Sequence, residues 1–270
     1  MNMTTTTSSR VCIASSSWVS APDERSVLFA PLLTGLSVRH GFTTRLDGYS
    51  CGRFASLNVG AAWGDDPEMV ARNLTRVSQI GGFAQDKLCL VRQVHGTSVV
   101  YVSQPERGLR QADGLATDVP LCLGVLSADC VSVLLADGEG RVAATHSGWR
   151  GTVSGIAGQA VRTLTKLGAS VKKLRAVLGP SIGPCCFQVK TDVASLFAAQ
   201  KPKTVLTQDD RTYVDLHLFL RETLLDAGLL PEHVGTDPPC TACDSKRFFS
   251  FRRDGGGIGQ HLAFVVGGTP

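Results

Sequence analysis

Three side chains that can bind a transition metal, His95, Cys130 and His146, lie at the edges of short apolar segments of this 270-residue chain. Zn²⁺ accepts imidazole and thiolate ligands, and three protein ligands leave a fourth position for water or substrate. The spacings of 35 residues (130 − 95) and 16 residues (146 − 130) are too wide for a zinc finger. The sequence therefore predicts a catalytic-type site whose ligands come from separate strands.

Other chemistries remain open for these three residues. Copper also binds two His and one Cys, usually with a Met, but the three methionines are at positions 1, 3 and 69, away from these motifs. Cys130 and His146 could instead form a nucleophile–base pair. The plainest alternative is a buried cysteine with two ordinary histidines. We favour zinc over copper.

A predicted β-hairpin brings Cys130 and His146 together. The β-branched and aliphatic runs Val131–Ala136 and Val142–Thr145 flank the turn sequence Asp137-Gly138-Glu139-Gly140. With a two-residue loop the two side chains would point to opposite faces, because side chains alternate along a strand. A shared site therefore requires an odd loop or a bulge, for which Gly140 could supply the left-handed residue.

Two arginines and two cysteine motifs are further candidates. Arg45 ends a predicted strand (Val38–Arg45) and could hold an anion, although its spacing also fits a plain surface arginine. Arg150 adds a charge to the Gly-Trp-Arg-Gly turn before a helix. Cys185 and Cys186 are interpreted as packing residues. Pro-Cys-x-x-Cys at 239–243 lacks partner ligands in the sequence, so we expect zinc content to be independent of these two cysteines.

The remaining patterns predict alternating strands and helices. Helices are expected at Pro67–Ile80, from Thr152 to about Leu167, and at Leu216–Leu225, and further strands within Leu88–Val102 and at Leu174–Leu178 and Leu262–Val266. Neither a linker nor a repeat divides the chain, which favours a single domain. Residues 1–25 are Ser/Thr-rich and predict a disordered tail with faint transit-peptide character.

Composition limits the class of protein. Hydrophobic residues make up 43% and charged residues 19%, as in ordinary globular proteins, and the net charge of +4 gives little support for nucleic-acid binding. Nine cysteines, an odd number in a long chain, favour a reducing compartment, which we take to be the cytoplasm. The sequence has no apolar run long enough to span a membrane.

Several motifs together resemble one family. They are R-H-G-F-T-T-R-L-D-G-Y-S, Q-V-H-G, A-D-G, S-A-D-C-V-S-V-L-L-A-D, T-H-S-G-W-R-G, L-G-P-S-I-G-P-C-C-F and F-F-S-F-R-R-D-G. From about Val38 to Val266 the chain is similar to the polyphenol oxidase/laccase-domain family, whose members are also labelled purine nucleoside phosphorylase or peptidoglycan editing factor. Two departures are Thr145-His146-Ser147 where the family has Ala-His-Ala, and Gln260 where it has an arginine.

The resemblance implies a single α+β (mixed α/β) domain over residues 26–270, with mixed β-sheets packed with helices and a metal cleft at strand ends. It implies zinc on His95, Cys130 and His146, which would also carry catalysis, and a substrate cleft lined by Arg45 and Asn58. The implied substrates are phosphate and purine nucleosides: phosphorolysis of adenosine, inosine and 5′-methylthioadenosine, and deamination of adenosine. A peptidoglycan-precursor editing hydrolase and a non-catalytic, zinc-stabilised interaction protein are the alternatives. The oligomeric state is not predicted.

Overall fold

The chain is described by a computed structural model for residues 19–21, 24–235 and 237–268. The strands in this part of the chain are β1 (Val19–Ala21), β2 (Glu24–Phe29), β3 (His40–Thr43), β4 (Leu88–Arg92), β5 (Val99–Tyr101), β6 (Arg107–Gln111), β7 (Gly114–Thr117), β8 (Cys122–Ser127), β9 (Val131–Ala136), β10 (Val142–Ser147), β11 (Arg175–Leu178), β12 (Gln188–Val189), β13 (Val205–Gln208), β14 (Arg211–Val214), β15 (Val234–Gly235) and β16 (His261–Val266). The helices are α1 (Pro31–Thr34), α2 (Pro67–Gly81), α3 (Trp149–Val153), α4 (Ile156–Lys166), α5 (Thr191–Ala198), α6 (Leu216–Asp226) and α7 (Phe251–Asp254).

These strands form three sheets. Seven strands pair in the order β1-β2-β3-β16-β8-β4-β6, six in the order β15-β11-β9-β10-β7-β5, and three in the order β12-β14-β13. Both large sheets are mixed: β9 and β10 are antiparallel, whereas β4–β8 and β5–β7 are parallel pairs. The predicted α+β class with mixed sheets is therefore confirmed, and the chain forms one domain.

The two large sheets pack face to face, and strands β9 and β10 are buried on both sides. Because successive side chains alternate between faces, Leu134 and Ala144 join a core with Phe42 of the seven-stranded sheet. Leu135 and Ala143 point the other way, into a core completed by α4 and α6. Burial on both faces explains why these strands have nearly continuous apolar sequences rather than alternating ones.

Helix α2 covers the outer face of the seven-stranded sheet and confirms the helix predicted at Pro67–Ile80, with one more residue. Asp66 caps its N-terminus by accepting a hydrogen bond from the Glu68 backbone N–H, and Pro67 occupies the first turn. Gly82 ends the helix in the left-handed conformation, with φ of 63°. This conformation favours glycine, which has no Cβ to clash with the backbone.

Two predicted elements differ from the structure. The single helix expected from Thr152 to Leu167 is two helices, α3 and α4, because the chain turns through Gly155 with φ of 88°. The two strands expected within Leu88–Val102 are present as β4 and β5, but they belong to different large sheets. The loop between them, which carries His95, therefore crosses from one sheet to the other at their common end.

The predicted domain boundary at residue 26 falls inside a β-hairpin. Strand β2 begins at Glu24 and pairs with β1, where Val19 is opposite Phe29. Most of the predicted tail, residues 1–18 and 22–23, lies outside the described residues. No helix in the described ranges is long and apolar enough to cross a membrane.

Candidate metal centre

The β9–β10 hairpin has the odd loop that a shared site requires. His146 is opposite Ser132 in the ladder, and the Asp137 N–H donates to the Arg141 carbonyl, which leaves the three residues 138–140 as the loop. Gly140 has φ of 93°, as expected of the left-handed residue in such a loop. Continuing this register places position 130 opposite position 148, so Cys130 and His146 lie diagonally on one face. The register argument from the sequence is confirmed.

The third residue, His95, reaches the pair from the loop between β4 and β5. Its backbone has φ of 61°, which is uncommon for a residue with a side chain. The N–H groups of Val94, His95 and Gly96 all donate to the carboxylate of Asp113, at 3.2, 2.8 and 2.7 Å respectively. Asp113 thus holds the loop in the conformation that directs His95 to the site.

The same carboxylate orients His146. The Nδ1 of His146 donates to Asp113 Oδ1 at 2.9 Å, and the His146 backbone N–H donates to the Asp113 carbonyl at 2.7 Å. This contact leaves Nε2 of His146 as the nitrogen available to a metal. A carboxylate behind a ligating histidine is the usual arrangement in zinc sites, because it fixes the ring and raises its basicity.

The three ligand atoms of His95, Cys130 and His146 all lie within 4.8 Å of one another. The two imidazole rings meet edge to face, with centroids 4.8 Å apart. Gly148 permits this closeness, since a Cβ there would lie 2.7 Å from Cδ2 of His95 and 3.3 Å from the sulfur of Cys130. The donor set, the supporting carboxylate and the close approach fit a metal ion held by these three residues.

The electrostatics of the site stabilise a charged pair when no metal is bound. Burial favours the neutral thiol of Cys130, but hydrogen bonds and charge from His146 and His95 outweigh it and lower the pKa to about 6. Burial likewise opposes charge on His146, but Asp113 and Cys130 raise its pKa to about 9. The pKa of Asp113 is lowered even though its burial would raise it, because it accepts from His146, Gly96 and Val94.

These pKa values predict how metal binding depends on pH. Between about pH 6 and 9 the metal-free pair is thiolate and imidazolium, and binding must remove the proton of His146. We expect the apparent zinc affinity of this site to rise about tenfold per pH unit over that interval. Below about pH 6 Cys130 also becomes protonated, so the affinity should change more steeply with pH there than between pH 6 and 9.

Competition with a chromophoric chelator across this pH range measures the effect. Subtracting the zinc retained by Cys130→Ala under the same conditions isolates the contribution of this site. An affinity that does not change between pH 6 and 9 would contradict the assignment of the charged pair.

The metal centre faces a cavity of about 610 Å³. Apolar and aromatic side chains make up about half of the residues that line it, and polar and cationic side chains make up most of the rest. The described residues that line it are Ala62, Trp63, Val91, Arg92, Gln93, His95, Leu126, Ser127, Ala128, Asp129, Cys130, His146, Trp149, Arg150, Ile182, Phe187, Leu216, Phe251, Arg252 and Gln260.

The structure brings only part of the predicted substrate set to this cavity. Arg150 lines it, with its guanidinium carbon 4.4 Å from the centre of the Trp149 ring. Arg45 lies instead at a second cavity of about 340 Å³ with Arg53, where its Nε donates to the Ala55 carbonyl at 2.9 Å. Burial lowers the pKa of the Arg45 guanidinium, with the charge of nearby Asp254 acting in the opposite direction.

Asn58 is fully buried and its amide is hydrogen-bonded within the protein. Its Nδ2 donates to the Gly60 carbonyl and to Asp65, and its Oδ1 accepts from the backbone N–H groups of Gly60 and Gln260. Asn58 therefore contacts the cavity only through Gln260, whose backbone it positions.

Sequence reasoning did not identify several residues of this site. For Asp113 the available signal is the Ala-Asp-Gly motif of the family resemblance. Arg92 and Arg252 line the same cavity as Arg150, and the rings of Trp63 and Phe251, which also line it, have centroids 6.1 Å apart. Asp129 shapes the wall beside Cys130 by accepting hydrogen bonds from the side chains of Thr241 and Ser250. Asp129, Phe251 and Arg252 lie in motifs of the family resemblance, whereas Trp63 and Arg92 lie outside those motifs.

The chain is similar to known proteins over most of its length. Residues 39–267 match the family model described as multi-copper polyphenol oxidoreductase laccase. The chain is 39% identical over 241 residues to a Deinococcus radiodurans protein named purine nucleoside phosphorylase, covering 87% of this chain and 92% of the relative. It is 35% identical over 254 residues to purine nucleoside phosphorylase YlmD of Geobacillus stearothermophilus, covering 88% and 90% of the two chains.

The fold is also similar to a solved structure. The Bacillus licheniformis hypothetical protein YfiH superposes with a TM-score of 0.86 at 30% identity, covering 95% of this chain and all of that one. The shared length indicates that the arrangement of both large sheets is common to the two proteins.

Proposed function

The chain belongs to the family described as multi-copper polyphenol oxidoreductase laccase, and on that premise we propose that it is a zinc-dependent purine nucleoside phosphorylase. The proposed substrates are adenosine, inosine and 5′-methylthioadenosine, with deamination of adenosine as a second reaction. The observation that carries the proposal is the His95–Cys130–His146 group at the wall of one cavity that also holds aromatic rings and arginines. Two relatives that carry the name purine nucleoside phosphorylase support it.

Zinc is proposed because of the donor set. Two imidazoles and one thiolate suit either zinc or copper, but copper sites of this composition usually add a methionine. No methionine is among the described residues that line the cavity. When bound, zinc would supply Lewis acidity to a substrate oxygen or lower the pKa of a water molecule.

Aromatic side chains are proposed to bind the purine. Trp63 and Phe251 have exposed fractions of 38% and 52%, large for side chains of this type, and both line the cavity. Their rings are 6.1 Å apart at an angle of 44°. A purine base gains stacking energy from such faces, on the order of 1–3 kcal/mol per base. Their exposure is consistent with a ligand that covers them.

Arg150 is proposed to bind the phosphate. Phosphorolysis forms a bond from a phosphate oxygen to C1′ of the ribose and breaks the bond from C1′ to N9 of the purine, so phosphate must be held beside C1′. A guanidinium suits phosphate because it donates two parallel hydrogen bonds, and stacking on Trp149 restricts the orientation of Arg150. Arg252 already donates to the carbonyls of Cys186 and Gln188, so its Nη1 is engaged with the protein.

Replacement of Arg150 tests this assignment against Arg45. We expect Arg150→Ala to raise the KM for phosphate by about tenfold or more, since a hydrogen bond to a charged group contributes about 1.5–3 kcal/mol. Arg45→Ala should change that KM less, because Arg45 lines the other cavity. Arg150→Lys should restore little, because an ammonium lacks the planar fork. If Arg45→Ala raises the KM for phosphate more than Arg150→Ala does, phosphate binds at the second cavity instead.

A panel of nucleosides tests the function itself. Adenosine, inosine and 5′-methylthioadenosine are incubated with zinc-replete protein, with and without phosphate, and the products are separated by chromatography. We expect phosphate-dependent release of adenine, hypoxanthine and adenine respectively, and inosine from adenosine when deamination occurs. If no nucleoside is altered at any phosphate concentration, the phosphorylase proposal fails and the peptidoglycan-precursor editing hydrolase becomes the favoured function.

A further inference from the structure

Four cysteines meet away from the metal centre described above. Cys185 and Cys186 follow β11, Cys240 and Cys243 lie between β15 and α7, and their sulfurs are all within 4.8 Å of one another. We name these four residues the cysteine quartet. The expectation that the Cys-x-x-Cys pair lacks partner ligands is wrong, because the fold places Cys185 and Cys186 beside it.

The spacing of the sulfurs suits one tetrahedral metal ion. The sulfurs of Cys185 and Cys186 each lie 3.4 Å from that of Cys243. Four thiolates at the usual zinc–sulfur distance of about 2.3 Å form a tetrahedron whose edges are about 3.8 Å long. The observed separations lie around this value, so little movement is needed to close the quartet on zinc.

The backbone of two loops holds the quartet together. Ser181 pairs with Cys240 in an isolated parallel bridge, and the Thr241 N–H donates to the Ser181 carbonyl at 3.0 Å. Gly183 leaves room for the approach, because a Cβ there would lie 3.2 Å from the Cβ of Cys240 and 3.4 Å from the sulfur of Cys185. The four sulfurs thus come from two chain segments whose relative position is already fixed.

The surroundings favour a thiolate. The Gly183 N–H donates to the sulfur of Cys240 at 3.2 Å. A hydrogen bond from the Cys185 thiol lowers the pKa of Cys240 to about 5, and backbone N–H groups of Gly183, Cys243 and Ala242 act in the same direction, against burial. The same contact raises the pKa of Cys185.

We propose that the cysteine quartet, in the reduced protein, binds a second zinc ion as a closed structural site. Four protein ligands leave no open position, which distinguishes a structural site from a catalytic one. Cys243 is disulfide-bonded in this structure, so its bond must be reduced before its sulfur can join the site. Cys185, Cys186 and Cys240 are not in disulfides.

The site has a consequence for the cavity. Ile182 and Phe187, on either side of Cys185 and Cys186, both line the cavity. On the other segment, Thr241 lies between the two remaining cysteines and donates to Asp129, the neighbour of Cys130. A metal that joins these two segments would brace one wall of the cavity without touching a substrate.

Zinc content per chain tests the proposal. Protein prepared throughout with a phosphine reductant should hold about two equivalents of zinc, one at each site. Cys240→Ser and Cys243→Ser should each lose about one equivalent, and Cys130→Ala should keep the equivalent of the quartet. Cys51→Ser is the matched control: Cys51 is exposed and outside both groups, so it should keep both ions. Cobalt substitution of Cys130→Ala should give the absorption of a tetrathiolate complex. In this variant none of the four cysteines of the quartet is replaced.

The proposal is overturned if the reduced parent protein and Cys240→Ser hold equal zinc, or if Cys130→Ala holds none and gives no tetrathiolate cobalt spectrum. Neither measurement depends on nucleoside turnover. A protein that fails the nucleoside panel can therefore still bind the second zinc, and the reverse also holds.

Discussion

Replacement of Cys130 by alanine is expected to remove zinc from the cavity and to lower nucleoside turnover by at least about a hundredfold. Cys130 is the one thiolate of the group, and the pKa of about 6 shows that the site favours its charged form. Even residues that only support metal ligands commonly contribute a factor of about 10–100 to affinity or activity. Loss of a ligand itself should have a larger effect than that. The effect is measured by kcat/KM for adenosine and by zinc analysis.

Cys51→Ala provides the control, because it removes a thiol of the same chemistry from an exposed position outside the site. Circular dichroism and thermal unfolding establish that both variants remain folded. If Cys130→Ala keeps both its zinc and the parental turnover, the chemistry occurs elsewhere. If it loses the zinc and keeps the parental turnover, zinc is not part of the reaction.

Replacement of Asp113 by asparagine is expected to have the second largest effect. The carboxylate is fully buried and accepts from Val94, His95, Gly96 and His146. An amide has the same shape, but its NH₂ group would face a donor. We expect zinc affinity at the cavity to fall about 10–100-fold, and the free energy of unfolding to fall by about 1–3 kcal/mol for a buried donor left unpaired.

A change in pH dependence distinguishes the orienting role of Asp113 from a purely structural one. The Asp113 charge helps to raise the pKa of His146, so the variant should release the His146 proton at lower pH. The rise of zinc affinity between about pH 6 and 9, which reflects loss of the His146 proton, should then end at a lower pH than in the parent protein. Asp118→Asn is the control, since Asp118 accepts from the exposed Tyr101 hydroxyl and is not among the described residues that line the cavity. An unchanged profile in Asp113→Asn would contradict the orienting role.

Much of the metal centre was predictable from sequence because it depends on local geometry. His146 and Cys130 are at the open end of a short hairpin. Because side chains alternate along a strand, the two lie on one face only if the loop has an odd number of residues. The loop through Gly140 has three residues. The helix at Pro67 was predictable for the same reason, since its capping residues and apolar spacing are all within one segment.

Contacts between distant segments could not be predicted in this way. Asp113 acts on a loop that is 17–19 residues earlier in the chain and on His146, 33 residues later. Their meeting depends on β4 and β5 entering different sheets. Cys185 and Cys243 are 58 residues apart, and the bridge between Ser181 and Cys240 that joins their loops has no sequence signature. Asn58 came from the resemblance alone, whereas Arg45 was also suggested by its place at a strand end, and the fold places Arg45 at a second cavity.

Formation of ribose 1-phosphate is the most direct test of the central claim. Zinc-replete protein is incubated with adenosine and phosphate, the phosphorus NMR spectrum is followed with time, and adenine is measured by chromatography in the same sample. The account predicts that ribose 1-phosphate and adenine appear in equal amounts, that neither appears without phosphate, and that neither appears above background with Cys130→Ala. Adenine released with free ribose and no phosphate ester, or no adenine at any phosphate concentration, would contradict it.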